Sequence, residues 1–305
     1  MGNRHAYLIM AHNDFDLLED ILEDLDHPDN DIFLHVDQKS REYPLEIMKS
    51  RINSAGFYPV SRMKVNWAGY SQIACELHLL SCALQQGKHA YYHLMTGATC
   101  PVLSQEKIHS YFDAHAGDQF IGYVKEGEFL HRVKFYNLFN EIGKPRNSVH
   151  DKLILIRDLW NAVQNRLHFY YGPSIGVDFR KGFAYWSLTQ EAAEYILSQK
   201  NWIRRVFRHS ICGDEVFAQT VLWNSPFKDQ IHDADHEYGS CLRYVKPSQS
   251  WNDDFGTTSA GSSAPENGIL PEDVKEIMDS GMLFALKFVG PTGIDAFHVL
   301  KSARK

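Results

Sequence analysis

Along the first 125 positions, apolar residues alternate between unbroken runs and helical spacing. Residues 6–11 (AYLIMA) are a continuous apolar run, the signature of a strand covered on both faces. Residues 14–26 place Phe15, Leu18, Ile21, Leu22 and Leu25 on one helical face with carboxylates opposite. Residues 31–36 (DIFLHV) read as a second strand ending at Asp37. The same alternation continues with a helix over 45–54, a short strand around 58–60 and a strong helix over 71–86 with Ser71 as its N-cap. A strand over 90–95, a helix over 104–112 and a strand over 119–123 follow. This β/α order predicts an α/β fold, a mostly parallel sheet flanked by helices. His12, Asn13 and Asp14 close the first strand and Asp37 the second, at the carboxyl ends where open α/β sheets bind ligands.

The second half is less regular. A long helix over 149–167 puts Leu153, Ile156, Leu159, Trp160 and Val163 on one face. A strand over 183–187, helices over 189–199 and 214–223, and a short strand over 243–245 come next. Residues 246–268 are rich in Ser, Gly, Asn, Asp and Thr and read as a long loop carrying Trp251. A helix over 271–280, opened by Pro271 and closed by Gly281, and a strand over 283–289 complete the pattern. The expected organisation is one catalytic domain over 1–290, with a nucleotide-binding half (1–123) and an acceptor and catalytic half (124–290), followed by a tail over 291–305.

Charge and motifs narrow the function. A net charge of −7 lacks the basic footprint of a nucleic-acid binder. The five cysteines form no C-x-x-C, and Cys75 and Cys82 share a helical face, which fits buried thiols in a reducing compartment. The apolar run at the N-terminus is too short for a signal peptide or a membrane span, so a cytoplasmic location is expected. No G-x-G-x-x-G, P-loop or H-E-x-x-H pattern occurs, against dinucleotide, P-loop and zincin readings.

Several residues have both a structural and a chemical reading. Asp214 and Glu215 open a helix, where carboxylates favour the dipole, and adjacent carboxylates also suit acid–base work. Lys287 is one cation within LFALKFV, either an edge-strand lysine or an anion ligand. Asp37 is a turn residue or a partner for ribose or uracil. Trp67 and Trp186 are core residues or stacking faces. Trp251, in a polar loop, has no obvious core and suits sugar stacking. His232 to His236 (HDADH) has a short metal-loop pattern.

Four stretches in order carry a resemblance: LIMAHND with FLHVDQKS, VNWAGYSQI, HLMTGATCPVLS, and GDEVFAQTVLWNSPF followed by LRYV and LFALKF. Together they resemble the core-2/I-branching enzymes, which include branching N-acetylglucosaminyltransferases and peptide xylosyltransferases. The resemblance implies a GT-A-type fold and an inverting glycosyltransferase that uses a UDP-sugar, without a metal or other cofactor, to glycosylate a glycan or glycolipid acceptor. It implies N-acetylglucosamine as the first donor candidate and xylose as the second. A lipid-linked acceptor would bring the chain to a membrane face. Residue by residue, Glu215 matches the catalytic base, Lys287 the diphosphate ligand and Arg243 a second phosphate cation. Asp37, Trp67 and Ser71 match donor-side positions, with the helix after Ser71 directing its N-terminus at the nucleotide, and His12 and Asn13, which close the first strand, are expected to line the same crevice. Asp214, Trp186 and Trp251 would then lie toward the acceptor. The stretch between Gly97 and Pro101 departs from the family: Ala98, Thr99 and Cys100 replace a segment that usually holds an acid. That departure strengthens the metal-free expectation and puts a sugar contact at Thr99 in doubt.

Overall fold

The computed structural model describes residues 4–41, 43–124, 130–144, 147–246 and 268–304. Trp251 lies outside the described residues. The chain begins with β1 (His5–Ala11), α1 (Phe15–Asp24), β2 (Asn30–Val36), α2 (Leu45–Ser50) and β3 (Gly56–Pro59). It continues through α3 (Tyr70–Gln86), β4 (Tyr91–Thr96), β5 (Cys100–Pro101), α4 (Gln105–Ala114) and β6 (Phe120–Ile121). Next come α5 (His131–Lys134), α6 (Ser148–Arg166), β7 (Trp186–Thr189), α7 (Gln190–Ser198), α8 (Lys200–Phe207) and α9 (Phe217–Trp223). The last elements are β8 (Arg243–Val245), α10 (Val274–Asp279), β9 (Phe284–Leu286) and α11 (Gly290–Ala303).

The central sheet runs β3-β2-β1-β4-β7-β6. Its first four strands are parallel, and β7 and β6 join antiparallel. A second sheet, β5-β9-β8, lies beside it. This is the expected mostly parallel sheet flanked by helices. Its strands are mostly apolar because both faces are covered. One face packs on α1, α4 and α11 through Leu18, Leu22, Phe112 and Phe297. The other packs on α3, α7 and α9 through Ile73, Leu80, Ile196 and Phe217.

The sheet also buries a polar line. His93 Nε2 lies 3.0 Å from His5 Nδ1, and His93 Nδ1 lies 2.8 Å from Ser187 Oγ. Burial drives both imidazoles well below their usual pKa, and the guanidinium of Arg243 pushes His93 the same way.

Three expectations change here. The segment 291–305 is not a tail: α11 buries Ala296, Phe297 and Leu300, and Arg304 binds Asp24 and the Pro101 and Leu103 carbonyls. The helix expected over 214–223 is broken at Val216, so Asp214 and Glu215 occupy a separate 3-10 turn, Gly213–Glu215. The long helix appears as α6, but its apolar stripe faces solvent: Ile156, Leu159 and Val163 are 47%, 59% and 45% exposed.

Candidate active site

The carboxyl ends of β1, β2 and β4 form the floor of the site. After β1, His12 and Asn13 are exposed. The charged neighbours of the His12 imidazole are Asp37, Lys287, Asp14 and Lys39. Asp37 follows β2 and closes its own turn, accepting the Lys39 backbone N–H at 2.8 Å, with Lys39 Nζ 3.4 Å from its other oxygen. Arg62 secures this turn by donating to the Val36, Asp37 and Ser40 carbonyls. Lys287 arrives from the second sheet, just past β9. Its register is held by Phe288 N donating to Ala98 O at 3.0 Å and Ile269 N donating to Lys287 O at 2.8 Å. Residues from three separate stretches, His12, Asp37 with Lys39, and Lys287, thus meet where the parallel strands end.

After β4 the chain closes on itself. Thr99 Oγ1 lies 3.1 Å from Thr96 Oγ1 and accepts the Thr96 N–H at 3.2 Å. Thr99 is fully buried, so its hydroxyl serves the turn.

The second part of the site surrounds the Gly213–Glu215 turn. Glu215 is about one-third exposed; its Oε2 accepts from Arg132 Nη1 and lies 3.8 Å from Lys181 Nζ. Both cations are buried while the carboxylate reaches the surface, so the pair fixes a reachable oxygen. Gly182 donates its N–H to the Glu215 carbonyl at 2.9 Å. A Cβ at Gly182 would stand 1.7 Å from the Gly122 carbonyl oxygen, so only glycine permits this approach.

Asp214 points inward. Its Oδ2 accepts from Gln72 Nε2 at 3.0 Å, and its other oxygen is buried without a hydrogen-bond partner. Burial, and then the Glu215 charge beside it, push the Asp214 pKa up to about 7. Glu76, one turn further along α3, is buried too, and burial with the Asp214 charge raises its pKa strongly. Tyr185 faces all three carboxyls, and its hydroxyl bonds Thr96, linking this cluster to the end of β4.

The first turn of α3 differs from expectation. Ser71 is not the N-cap; Glu141 supplies the cap, accepting from Ser71 N at 2.8 Å and Ser71 Oγ at 2.7 Å. A Cβ on Gly69 would lie 2.5 Å from that carboxylate, which would have to shift to make room. The helix N-terminus expected to face a nucleotide is therefore occupied by a side chain. Trp67, just before it, is 42% exposed with Lys144 Nζ 5.8 Å above its ring. The adjacent Ala68 carbonyl accepts the Cys212 N–H at 3.0 Å, which sets Trp67 beside the Glu215 turn.

Three expected site residues lie inside instead: Asp214, expected toward the acceptor but with its carboxylate buried, and the two that follow. Arg243 is fully buried and donates to Ser187 Oγ at 2.9 Å and to the Trp186 carbonyl at 2.8 Å. A guanidinium held between β4 and β7 stitches the two sheets together and does not reach the crevice. Trp186 is 1% exposed and packs within the core, since its position on β7 points between sheet and helices. The His232–His236 stretch forms separate pairs, His232 with Asp118 at 2.8 Å and His236 with Asp233 at 3.6 Å. Among the described residues no group of three metal-capable side chains forms.

Sequence reading misses Arg132, Gln72, Glu76 and Glu141. Arg132 and Glu141 fall in the irregular middle of the chain, 83 and 70 residues from the groups they bind. No local signal marks them.

A parallel sheet whose strand ends gather two lysines, a histidine and an aspartate, together with a reachable carboxylate held in an ion pair at the Gly213–Glu215 turn, suits group transfer from a nucleotide-activated donor. The Core-2/I-Branching enzyme family model matches residues 5–276. The chain belongs to that family and is a glycosyltransferase, taking a sugar from a nucleotide-sugar donor to a glycan acceptor. No curated protein matches the chain. Among solved structures, mouse xyloside xylosyltransferase 1 in its apo form aligns over 92% of this chain and 96% of that one, at 9% identity and a TM-score of 0.37. No helix among the described residues is long and apolar enough to cross a membrane.

Proposed function

We propose that the protein is an inverting, metal-independent glycosyltransferase that moves a sugar from a UDP-sugar to a hydroxyl of a glycan or glycolipid. N-acetylglucosamine is the first donor candidate and xylose the second. The observation that carries this reading is Glu215, a reachable carboxylate with one oxygen held by Arg132 and Lys181. In an inverting transfer the acceptor hydroxyl attacks the anomeric carbon in line while a base removes its proton. Glu215 is that base, and the two cations keep it aimed. Asp214 behind it retains much of its proton near neutrality, which spares Glu215 part of a second negative charge at close range.

The departing UDP gains charge as the glycosidic bond breaks, and a cation at the diphosphate stabilises that change. Lys287, exposed at the strand ends, takes this role, with Lys39 close to the same groups. His12, Asn13 and Asp37 hold the nucleoside, and Trp67 offers an exposed aromatic face on the side of Glu215. Arg243 and Ser71 act behind the site rather than on the donor.

Glu215→Gln keeps the shape and removes the base. Transfer should fall by at least about 100-fold, while UDP-sugar affinity measured by calorimetry stays unchanged. Transfer near the wild-type rate would remove Glu215 from the mechanism. Lys287→Ala should instead weaken UDP binding, and this should hold with EDTA present. A requirement for manganese in either assay would overturn the metal-independent reading.

A further inference from the structure

α6 is built with its polar side toward the protein. Its inward flank carries Asn161 and Gln164: Asn161 Nδ2 donates to Asn137 Oδ1 at 2.8 Å, and the buried Gln164 bonds the Tyr136 N–H and carbonyl at 2.9 and 3.2 Å. The outward flank carries Val149, Leu155, Ile156, Leu159, Trp160 and Val163, between 38% and 60% exposed. Leu167, just past the helix, is 72% exposed and prolongs the stripe. A 19-residue helix is about 28 Å long. Single exposed apolar residues need no explanation, but a continuous stripe of this length marks an interaction surface.

A cavity of about 310 Å³ adjoins this helix, lined by Tyr136, Tyr171, Arg204, Arg205, Arg208 and His209. Tyr136 connects the two: its ring stacks on His209 at 3.7 Å and its carbonyl accepts from Trp160 Nε1 at 3.1 Å. The three arginines are exposed, and no carboxylate among the described residues pairs with them. Positive charge is thus concentrated beside the apolar stripe in a chain whose net charge is −7. Lys152 lies within the stripe, where its stem can lie along the apolar surface with the ammonium raised. The acids of the helix, Asp151 and Asp158, fall on the flank away from the middle of the stripe.

We propose that α6 and the arginine cavity form a docking surface for an anionic lipid bilayer. α6 lies in the plane of the headgroups with its stripe in the acyl boundary, and the cavity receives a lipid phosphate. Charge favours a bilayer over a second copy of the chain, because a two-fold pairing through α6 would bring unpaired arginines of both copies to one interface. The surface lies outside the donor site, so it stands independently of the reaction proposed above.

The test is flotation of the full chain with vesicles of phosphatidylcholine alone or mixed with phosphatidylglycerol, at low and high salt. Binding is expected only with phosphatidylglycerol and should weaken with salt. Ile156→Asp combined with Leu159→Asp should lower vesicle binding roughly tenfold or more. Arg204→Ala, Arg205→Ala and Arg208→Ala together should lower it roughly 100-fold, since each basic residue near the surface contributes separately. Both variants should keep the wild-type melting temperature and UDP affinity, because every changed side chain is exposed and none belongs to the proposed donor site. No binding to either vesicle overturns the proposal, and so does equal binding to neutral vesicles. A concentration-dependent dimer abolished by the aspartate pair, without vesicle binding, assigns the stripe to a second copy and overturns it as well.

Discussion

The two longest helices among the described residues, α3 and α6, make the clearest contrast in the molecule. Both show apolar residues at helical spacing. α3 buries Ile73, Leu77, Leu80 and Ala83 against β1 and β2. α6 buries Gln164 and turns its apolar stripe outward. α3 also borders the candidate site: Gln72 grips Asp214, Glu76 lies buried behind it, and Glu141 closes its N-terminus. α6 reaches the site through the segment that carries Arg132. The contrast teaches that helical periodicity locates an apolar face but does not say what covers it. A parallel sheet has two apolar faces to cover and claims the helices beside it; α6 lies beyond the sheet, where no strand among the described residues packs on it.

The contrast can be broken by measurement. The largest effect is expected from truncating one leucine on each helix. Leu80→Ala leaves a cavity in the core and should cost about 2–5 kcal/mol of stability, whereas Leu159→Ala should stay within about 0.5 kcal/mol. Equal losses in urea unfolding would mean that the α6 stripe is covered in solution.

The second test concerns the grip of α3 on Asp214. The folded-state pKa of Asp214 is raised from an ordinary 3.8 to about 7. Between those values the native state holds a proton that the unfolded chain has released. Stability therefore falls as pH rises through this window, and the loss is complete above it. Asp214→Asn keeps a partner for Gln72 and removes the titration. The variant should show a flatter stability curve from about pH 4 to pH 7 and a gain of up to about 4 kcal/mol at pH 8. An unchanged slope would show that Asp214 is ionised in the native state.

The smallest effect sharpens the comparison at the helix starts. α6 is capped within its own segment: Asn147 Oδ1 accepts the Val149 and His150 N–H groups, each at 3.1 Å. α3 takes its cap from Glu141, far along the chain. Glu141→Ala and Asn147→Ala should each cost about 1 kcal/mol. Only Glu141→Ala should also change hydrogen exchange around Trp67, because Asn66 donates to the same carboxylate at 3.2 Å.

Much of the architecture is legible in the order of residues alone. The alternation of apolar runs and amphipathic stretches in the first 123 residues marks the strands and helices of the parallel half within a few residues. That region is built from local β-α units, in which periodicity and burial agree. Glu215, Lys287, Asp37 and His12 stand out in the sequence and do sit at strand ends or a turn beside them. Trp186 and Arg243 are misplaced by sequence reading for one shared reason: an aromatic ring or a cation in an apolar strand reads the same whether it points into the core or into the crevice. The 3-10 break at Val216 escapes notice because 214–223 has unbroken helical spacing, while Cys212 enters the turn in the left-handed conformation at φ 48°.

By itself the sequence determined the α/β class, the order of its elements, the family and the two residues on which the proposed chemistry most depends. Those features follow from local hydrophobic spacing and from short motifs whose residues are neighbours in the chain. Only the tertiary structure decided which carboxylate is exposed and which is buried: adjacent Asp214 and Glu215 point opposite ways within the 3-10 turn. It also brought Arg132 and Lys181 to Glu215, placed Glu141 on the start of α3 and withdrew Arg243 into the sheet. Each of these pairings joins residues far apart in the chain, and a charge or hydrogen bond across such a gap leaves no period for the sequence to display.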